Sequence, residues 1–300
     1  EQWPDIAFHK SGVVVTFQNT TTEVCLNYEI GDYPWITIAD IRNPEEKRAA
    51  SVQISLSGEV KDIAAMHAEF LQISQEMDLD VAVQEDNLYR RSRRLVCFDM
   101  DSTLITIECI DELGDAAGRR AEIAAITEAA MRGEIDFSES LRRRVRLLTG
   151  VEESALARVY DDRLRLSPGA ERLVAGCKAA GIRLLLVSGG FSYFTERLGS
   201  RLGLDYTLSN TLEIRDGRLT GALGGKVVNA RAKAERLREV AREIGARREQ
   251  TLAIGDGAND LPMMADAGMS VAFRGKPVAR DFADFALDHA GLDGVLNFFL

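Results

Sequence analysis

Residues 95–104 read LVCFDMDSTL, four apolar residues running into two carboxylates, Asp99 and Asp101, with one methionine between them. Along an extended chain, residues two apart point the same way, so both acids would face one small volume. Like charges that close disfavour joint ionisation unless a cation or a proton shares the site. The stretch therefore predicts a buried strand that delivers a metal- or proton-binding pair at its carboxyl end.

Two later segments repeat this design. IRLLLVSGG (182–190) and TLAIGDGAND (251–260) are short apolar runs ending in Ser, Gly or Asp, which read as strands feeding polar loops. Between them lie helical patterns, AERLVAGCKAAG closing on Gly181 and NARAKAERLREVAREIG with Leu237 and Val240 before Gly245. Near-continuous apolar strands alternating with helices predict an α/β fold whose parallel sheet is covered on both faces. Ligands in such sheets gather at the carboxyl ends of the strands, so the three polar endings, about 70 to 160 residues apart, are expected to converge.

The segment from about 106 to 165 has helical composition throughout and no strand-like alternation, and reads as a helical cap inserted over the site. Upstream, SGVVVTFQ, EVCLNYEI, SVQISLSG and DLDVAVQED read as strands and VKDIAAMHAEFLQISQEM as a helix. Together they predict a small α+β domain over residues 1–90, followed by the main domain over 91–300. YRRSRRL (89–95) carries four arginines. In so acidic a chain it reads as a solvated linker rather than a nucleic-acid patch.

Composition narrows the function classes. The chain has 300 residues, 46% hydrophobic and 28% charged, with a net charge of -10. That balance argues against a dedicated nucleic-acid binder, whose phosphate contacts need concentrated Lys and Arg. Cys25, Cys97, Cys109 and Cys177 show no CxxC spacing and read as reduced and mostly buried, which suggests a cytoplasmic setting. No apolar run approaches the roughly 18 residues of a membrane helix, and the opening EQWPDIAFHK lacks a signal-peptide pattern. No nucleic-acid or membrane partner is expected.

The strand-terminal residues form an inventory for phosphoryl transfer. A carboxylate can attack phosphorus, but it repels a dianionic phosphate, so a divalent cation must bridge them. Oxygen-only ligands suit Mg²⁺, and Asp99 and Asp256 could supply them. Ser188 and the backbone N–H groups of Gly189 and Gly190 can hold phosphate oxygens, and a lysine, Lys226 or Lys233, would offset the remaining charge. Taken singly, each signal is an ordinary turn, cap or surface residue. Their conjunction in order, separated by helices, is what points to chemistry.

DMDST, SGGF, the lysine of NARAKAERL and GDGANDLPM resemble the four motifs of the haloacid dehalogenase superfamily of phosphotransferases. STLITIECIDELG, AAMRGEIDFSESLRRRVRLL and LSPGAERL resemble its phosphoserine-hydrolysing members, and the resemblance covers about residues 93–300. It implies a Rossmann-like core with a helical cap. The implied activity is Mg²⁺-dependent hydrolysis of O-phospho-L-serine to L-serine and phosphate, the last step of serine biosynthesis, through an aspartyl-phosphate. A phosphatase or phosphotransferase acting on a related small phosphomonoester such as phosphohomoserine is the alternative.

Carried over residue by residue, the resemblance makes Asp99 the nucleophile and Asp101 the general acid, later the general base. Ser188, Gly189 and Lys233 would hold phosphate, Lys233 being preferred to Lys226 for its AKAE context. Asp99, the main-chain carbonyl of Asp101 and Asp256 would ligate Mg²⁺, with Asn259 and Asp260 in support. In the cap, Glu108 would bind the substrate amine, Arg144 its carboxylate, and Met131 and Phe137 would shield the site. A zwitterionic substrate needs one anion and one guanidinium, and Arg binds planar carboxylates bidentately. The amino-terminal pattern resembles ACT-like domains, which implies a regulatory or interaction module and a homodimer through it.

Overall fold

The computed structural model describes residues 13–19, 37–42, 50–57, 80–85 and 88–299. Four strands, β1 (Val13–Asn19), β2 (Thr37–Arg42), β3 (Ala50–Ser57) and β4 (Asp80–Glu85), form an antiparallel sheet in the order β2-β3-β1-β4. β1, β3 and β4 fall on three of the expected strands, whereas β2 was not expected. The anticipated strand EVCLNYEI and helix VKDIAAMHAEFLQISQEM lie outside the described residues.

The second sheet has seven strands: β5 (Leu95–Phe98), β6 (Arg183–Phe191), β7 (Tyr206–Arg215), β8 (Arg218–Gly224), β9 (Thr251–Gly255), β10 (Ser270–Phe273) and β11 (Phe285–Leu287). Their order is β11-β10-β9-β5-β6-β7-β8, and every pairing is parallel except β7 with β8. From β5 the chain moves outward one way through β6 and β7, then returns to lay β9 on the other side of β5. The crevice between β5 and β9 is thus the point where the winding reverses, the place where open parallel sheets bind ligands.

Alternation along the central strands builds two cores. Val96, Phe98, Leu184, Leu186, Leu252 and Ile254 belong to one buried cluster with Leu173 and Cys177 of the helix Ala170–Ala179. Leu95, Cys97, Leu185, Val187 and Ala253 belong to the opposite one, with Leu237 and Val240 of the helix Ala230–Glu243 and Met263 of the helix Leu261–Asp266. Both faces are therefore covered, which is why these strands read as continuous apolar runs rather than alternating ones. The antiparallel exception has a local cause: Asp216 and Gly217 both have positive φ, at 52° and 69°. That is the backbone of a tight hairpin turn between β7 and β8.

Between β5 and β6 the chain leaves the sheet to form helices Cys109–Ala116, Arg120–Met131, Phe137–Arg146 and Ser154–Arg158. The outgoing and returning segments meet. Ile105 bridges Leu166, Thr106 N–H donates to the Arg165 carbonyl at 3.0 Å, and Ser167 N–H donates to the Leu104 carbonyl at 2.9 Å. These crossed segments form the neck of the cap.

The arginine-rich stretch departs from the solvated linker expected of it. Arg90 is buried, Arg93 donates to the carbonyl of Glu249, Arg94 donates to the carbonyl of Gly245 at 2.8 Å, and Gln250 Nε2 donates back to the Ser92 carbonyl at 3.0 Å. Guanidinium groups here satisfy main-chain oxygens in front of β9, so the stretch is pinned to the main domain. A second attachment comes from β4. The buried Asp80 carboxylate accepts N–H bonds from Asp288, His289 and Ala290 at 2.7–3.2 Å, and Gln84 Nε2 donates to the Phe298 carbonyl at 3.0 Å. Cys97, Cys109 and Cys177 are buried and unbridged. Among the described residues no helix is long and apolar enough to cross a membrane.

Candidate active site

The carboxyl ends of β5, β6 and β9 bring the three polar loops together. Beyond β5 the backbone turns sharply, and Ser102 is held at a φ of 57°, a conformation a serine adopts only under constraint. The turn carries Asp99 and Asp101 into the crevice. Asp99 Oδ1 accepts the Met100 N–H at 2.7 Å and lies 2.8 Å from Lys233 Nζ, while Oδ2 accepts from Asn259 Nδ2 at 3.2 Å. Asp101 Oδ1 accepts the Cys109 N–H at 2.9 Å, and its Oδ2 accepts from Ser188 Oγ at 3.4 Å.

Lys233 is 1% exposed and bonds both Asp99 and, at 2.9 Å, Asp260. Burial alone would lower its pKa, but Asp260 and Asp99 overcome that and raise it, so it stays charged. Lys226 stands exposed in the loop after β8. Asp260 is already fully engaged, since its other oxygen accepts the N–H groups of Asp256 and Gly257 at 3.1 and 3.3 Å. It orders the β9 loop and anchors Lys233.

The glycines after Ser188 are required by close approach. A Cβ on Gly190 would fall 2.6 Å from Asp101 Oδ2, and one on Gly189 would fall 2.8 Å from the Phe137 ring. Phe137, the first residue of a cap helix, thus closes over the β6 loop. Gly190 N–H donates to Ser188 Oγ at 2.8 Å, so it orients that hydroxyl rather than standing free for a phosphate as expected.

Two cap residues reach the same place. Glu108 accepts from Ser102 Oγ at 2.8 Å, and Arg144 lies within the electrostatic reach of Glu108, Asp111 and Asp101. The Arg144 Nε is buried with no hydrogen-bond partner among the described residues. Met131 does not join them: it ends the helix Arg120–Met131 with 72% of its surface exposed. Shielding in this arrangement comes from Phe137.

Three groups that matter here were given no role in the motif reading. Ser102 orients Glu108. Asn210 on β7 donates to the Gly189 carbonyl at 2.8 Å and accepts the Val228 N–H at 2.7 Å, which fixes the β6 loop to the segment leading into the Lys233 helix. Lys276 Nζ lies 3.0 Å from Asp256 Oδ2. Its signal, a lysine three residues after β10 at a further parallel strand end, is visible only once the strand order is known.

The donor set fits a hard divalent cation. Asp99, Asp256 and Asp260 are all buried and each offers an oxygen within 4.8 Å of the others. Asp260 orders the β9 loop through two N–H groups, whereas Asp99 and Asp256 stand at the ends of β5 and β9, and an oxygen-only set of this kind suits Mg²⁺.

Packing so many acids together displaces their protonation. Burial, then Asp260, raises Asp99 to about 7. Burial raises Asp101 to about 6 against the pull of the Cys109 N–H, and burial with Asp101 raises Glu108 to about 7. In the unfolded chain such acids titrate near 4, so between about pH 4 and 7 the folded protein binds more protons than the unfolded one. Stability then falls as pH rises through that window. The melting temperature of the metal-free protein is expected to drop between pH 4.5 and 7, and to drop less steeply in Asp99→Asn, as measured by thermal unfolding across a pH series.

The comparisons with known proteins agree with this geometry. Residues 96–265 match the haloacid dehalogenase-like hydrolase family. A curated phosphoserine phosphatase of Polaromonas sp. is 53% identical over 224 residues, covering 73% of this chain and 95% of that protein. A solved hydrolase of the same family from Salmonella enterica serovar Typhi superposes with a TM-score of 0.83 at 31% identity, covering 96% of this chain and 98% of that one. A solved probable phosphoserine phosphatase from Vibrio cholerae superposes with a TM-score of 0.75 at 35% identity, covering 99% and 88%. A winding reversal that sets two acids after β5, a hydroxyl after β6, a buried lysine and an acidic loop after β9 is the arrangement this kinship accounts for, and the chain belongs to the haloacid dehalogenase-like hydrolases.

Proposed function

We propose that the protein hydrolyses O-phospho-L-serine to L-serine and phosphate. The observation that carries the substrate is a pair of half-buried charges near the crevice, the Glu108 carboxylate and the Arg144 guanidinium, whose Nε is buried with no hydrogen-bond partner among the described residues. Burying an unpaired guanidinium N–H costs free energy, so the site is built to receive an acceptor there. A substrate with an ammonium and a carboxylate on one carbon meets both needs.

In the first step an Asp99 oxygen attacks phosphorus and the bond from phosphorus to the serine oxygen breaks, with Asp101 giving its proton to the departing oxygen. In the second, the Asp101 carboxylate takes a proton from water, whose oxygen attacks the aspartyl-phosphate and releases Asp99. A group near pH 6 serves in both directions at neutral pH. Lys233 and Ser188 hold phosphate oxygens, and Lys233 keeps Asp99 in place. Mg²⁺ on Asp99 and Asp256, with the Asp101 main-chain carbonyl as a further ligand, would offset the repulsion between carboxylate and phosphate. The four-stranded sheet acts as an ACT-like interaction module, with a homodimer through it.

Phosphate release from O-phospho-L-serine with and without Mg²⁺ tests the reaction, and Arg144→Ala tests the substrate. Losing a charge-assisted contact in a closed site should lower kcat/KM for phosphoserine by about 30- to 1000-fold. Phosphoethanolamine lacks the carboxylate, so its slow hydrolysis should change little. Equal losses on the two substrates would remove Arg144 from carboxylate recognition.

A further inference from the structure

Three buried carboxylates meet at the β5–β9 crevice, and Lys233 offsets only one of their charges. The second cation on the cluster is Lys276. Its ammonium lies 3.0 Å from Asp256 Oδ2, on the acid that Lys233 does not touch. The two lysines differ in one respect that matters: Lys233 is 1% exposed, whereas the Lys276 side chain is 50% exposed and Asp256 is 7% exposed. The carboxylate cannot leave, and neither can Lys233. Lys276 can, because half of its side chain faces solvent. Its backbone stays fixed meanwhile, as its N–H donates to the Asp256 carbonyl at 2.7 Å.

We propose that Lys276 is a displaceable counter-cation of the metal site, which holds the Asp256 carboxylate when no ion is bound and is expelled by the divalent ion that takes its place. The inference rests on the reading of Asp99 and Asp256 as metal ligands. Two unlike cations then compete for one oxygen, so the lysine stabilises the empty protein and weakens metal affinity by the same factor. Lys276 is a positioning residue: it keeps Asp256 extended toward the crevice in the absence of metal, through a contact that the loaded protein gives up.

The test uses the full chain, Mg²⁺ alone and no substrate. Calorimetric titration of Lys276→Met is expected to show Mg²⁺ binding about 3- to 10-fold tighter than wild type, the range for losing competition from one partly exposed ion pair. Thermal unfolding should show a lower melting temperature for the metal-free variant and an unchanged one at saturating Mg²⁺. Arg274→Met removes a charge two residues away that lies over the Phe273 ring, 5.3 Å from its centroid, and should leave Mg²⁺ affinity unchanged. Equal destabilisation of Lys276→Met with and without Mg²⁺ would make the lysine a permanent structural partner and overturn the proposal. Unchanged or weaker Mg²⁺ binding, or an equal gain in Arg274→Met, would overturn it as well. Absence of Mg²⁺ binding by wild type would defeat the metal reading itself and the proposal with it.

Discussion

Asp99→Asn is expected to lower kcat on O-phospho-L-serine by about 10⁴-fold or more while the protein remains folded, because an amide cannot attack phosphorus. The fold should survive because the change is isosteric and removes a buried charge. Lys233 keeps its bond to Asp260, and the Met100 N–H can still donate to the side-chain oxygen. The Asn259 amide then faces another amide where it had donated to a carboxylate. A phosphate-release assay paired with thermal unfolding reads both halves of the expectation. Incubation of wild type with labelled substrate followed by quenching and peptide mapping should place phosphate on Asp99. Label trapped on any other residue would defeat the mechanism.

The second large effect separates the neighbouring acid. Asp101→Asn should reduce kcat on phosphoserine by about 10²- to 10⁴-fold, since both the protonation of the leaving serine and the activation of water are lost. An activated aryl phosphate needs no proton on its leaving group, so the variant should still transfer phosphate to Asp99 from that substrate. Hydrolysis of the intermediate should then stall, giving a stoichiometric burst of phenolate followed by slow turnover. The Cys109 N–H that holds Asp101 would bond equally well to the amide oxygen, so geometry is retained and only proton transfer is tested. Rapid steady turnover of the aryl ester by Asp101→Asn would remove this residue from the hydrolytic step.

The central strands and the site they build were legible because each polar residue sits at the end of an uninterrupted apolar run. Buried strands carry that pattern in the chain itself, and the topology brings their ends together without further instruction. The hairpin of β7 and β8 was missed although its Asp216–Gly217 turn is written in the sequence, since a reading based on strands alternating with helices has no place for an antiparallel edge. Asn210 and Lys276 were illegible for a different reason. Neither belongs to a patterned run, and each acts across a strand pairing that the sequence does not declare. Met131 and Phe137 looked alike as apolar cap residues, but only Phe137 opens a helix that faces the β6 loop. The arginines of 90–94 looked solvated because charge runs usually are. Arg93 and Arg94 donate to main-chain carbonyls, which no sequence pattern reveals.

The Asp80 carboxylate receives its three N–H donors from residues 208 to 210 positions later in the chain. On a ribosome adding about 5–20 residues per second, that separation is on the order of 10–40 s. During that interval β4 has been made but the backbone that clasps it has not. The amino-terminal sheet must therefore wait, held near the exit tunnel with a buried acid still in water, until the sheet made after it is nearly complete. Attachment of the four-stranded sheet to the catalytic unit therefore follows synthesis of residues 288–290, and it reports that all seven strands of the second sheet have been made.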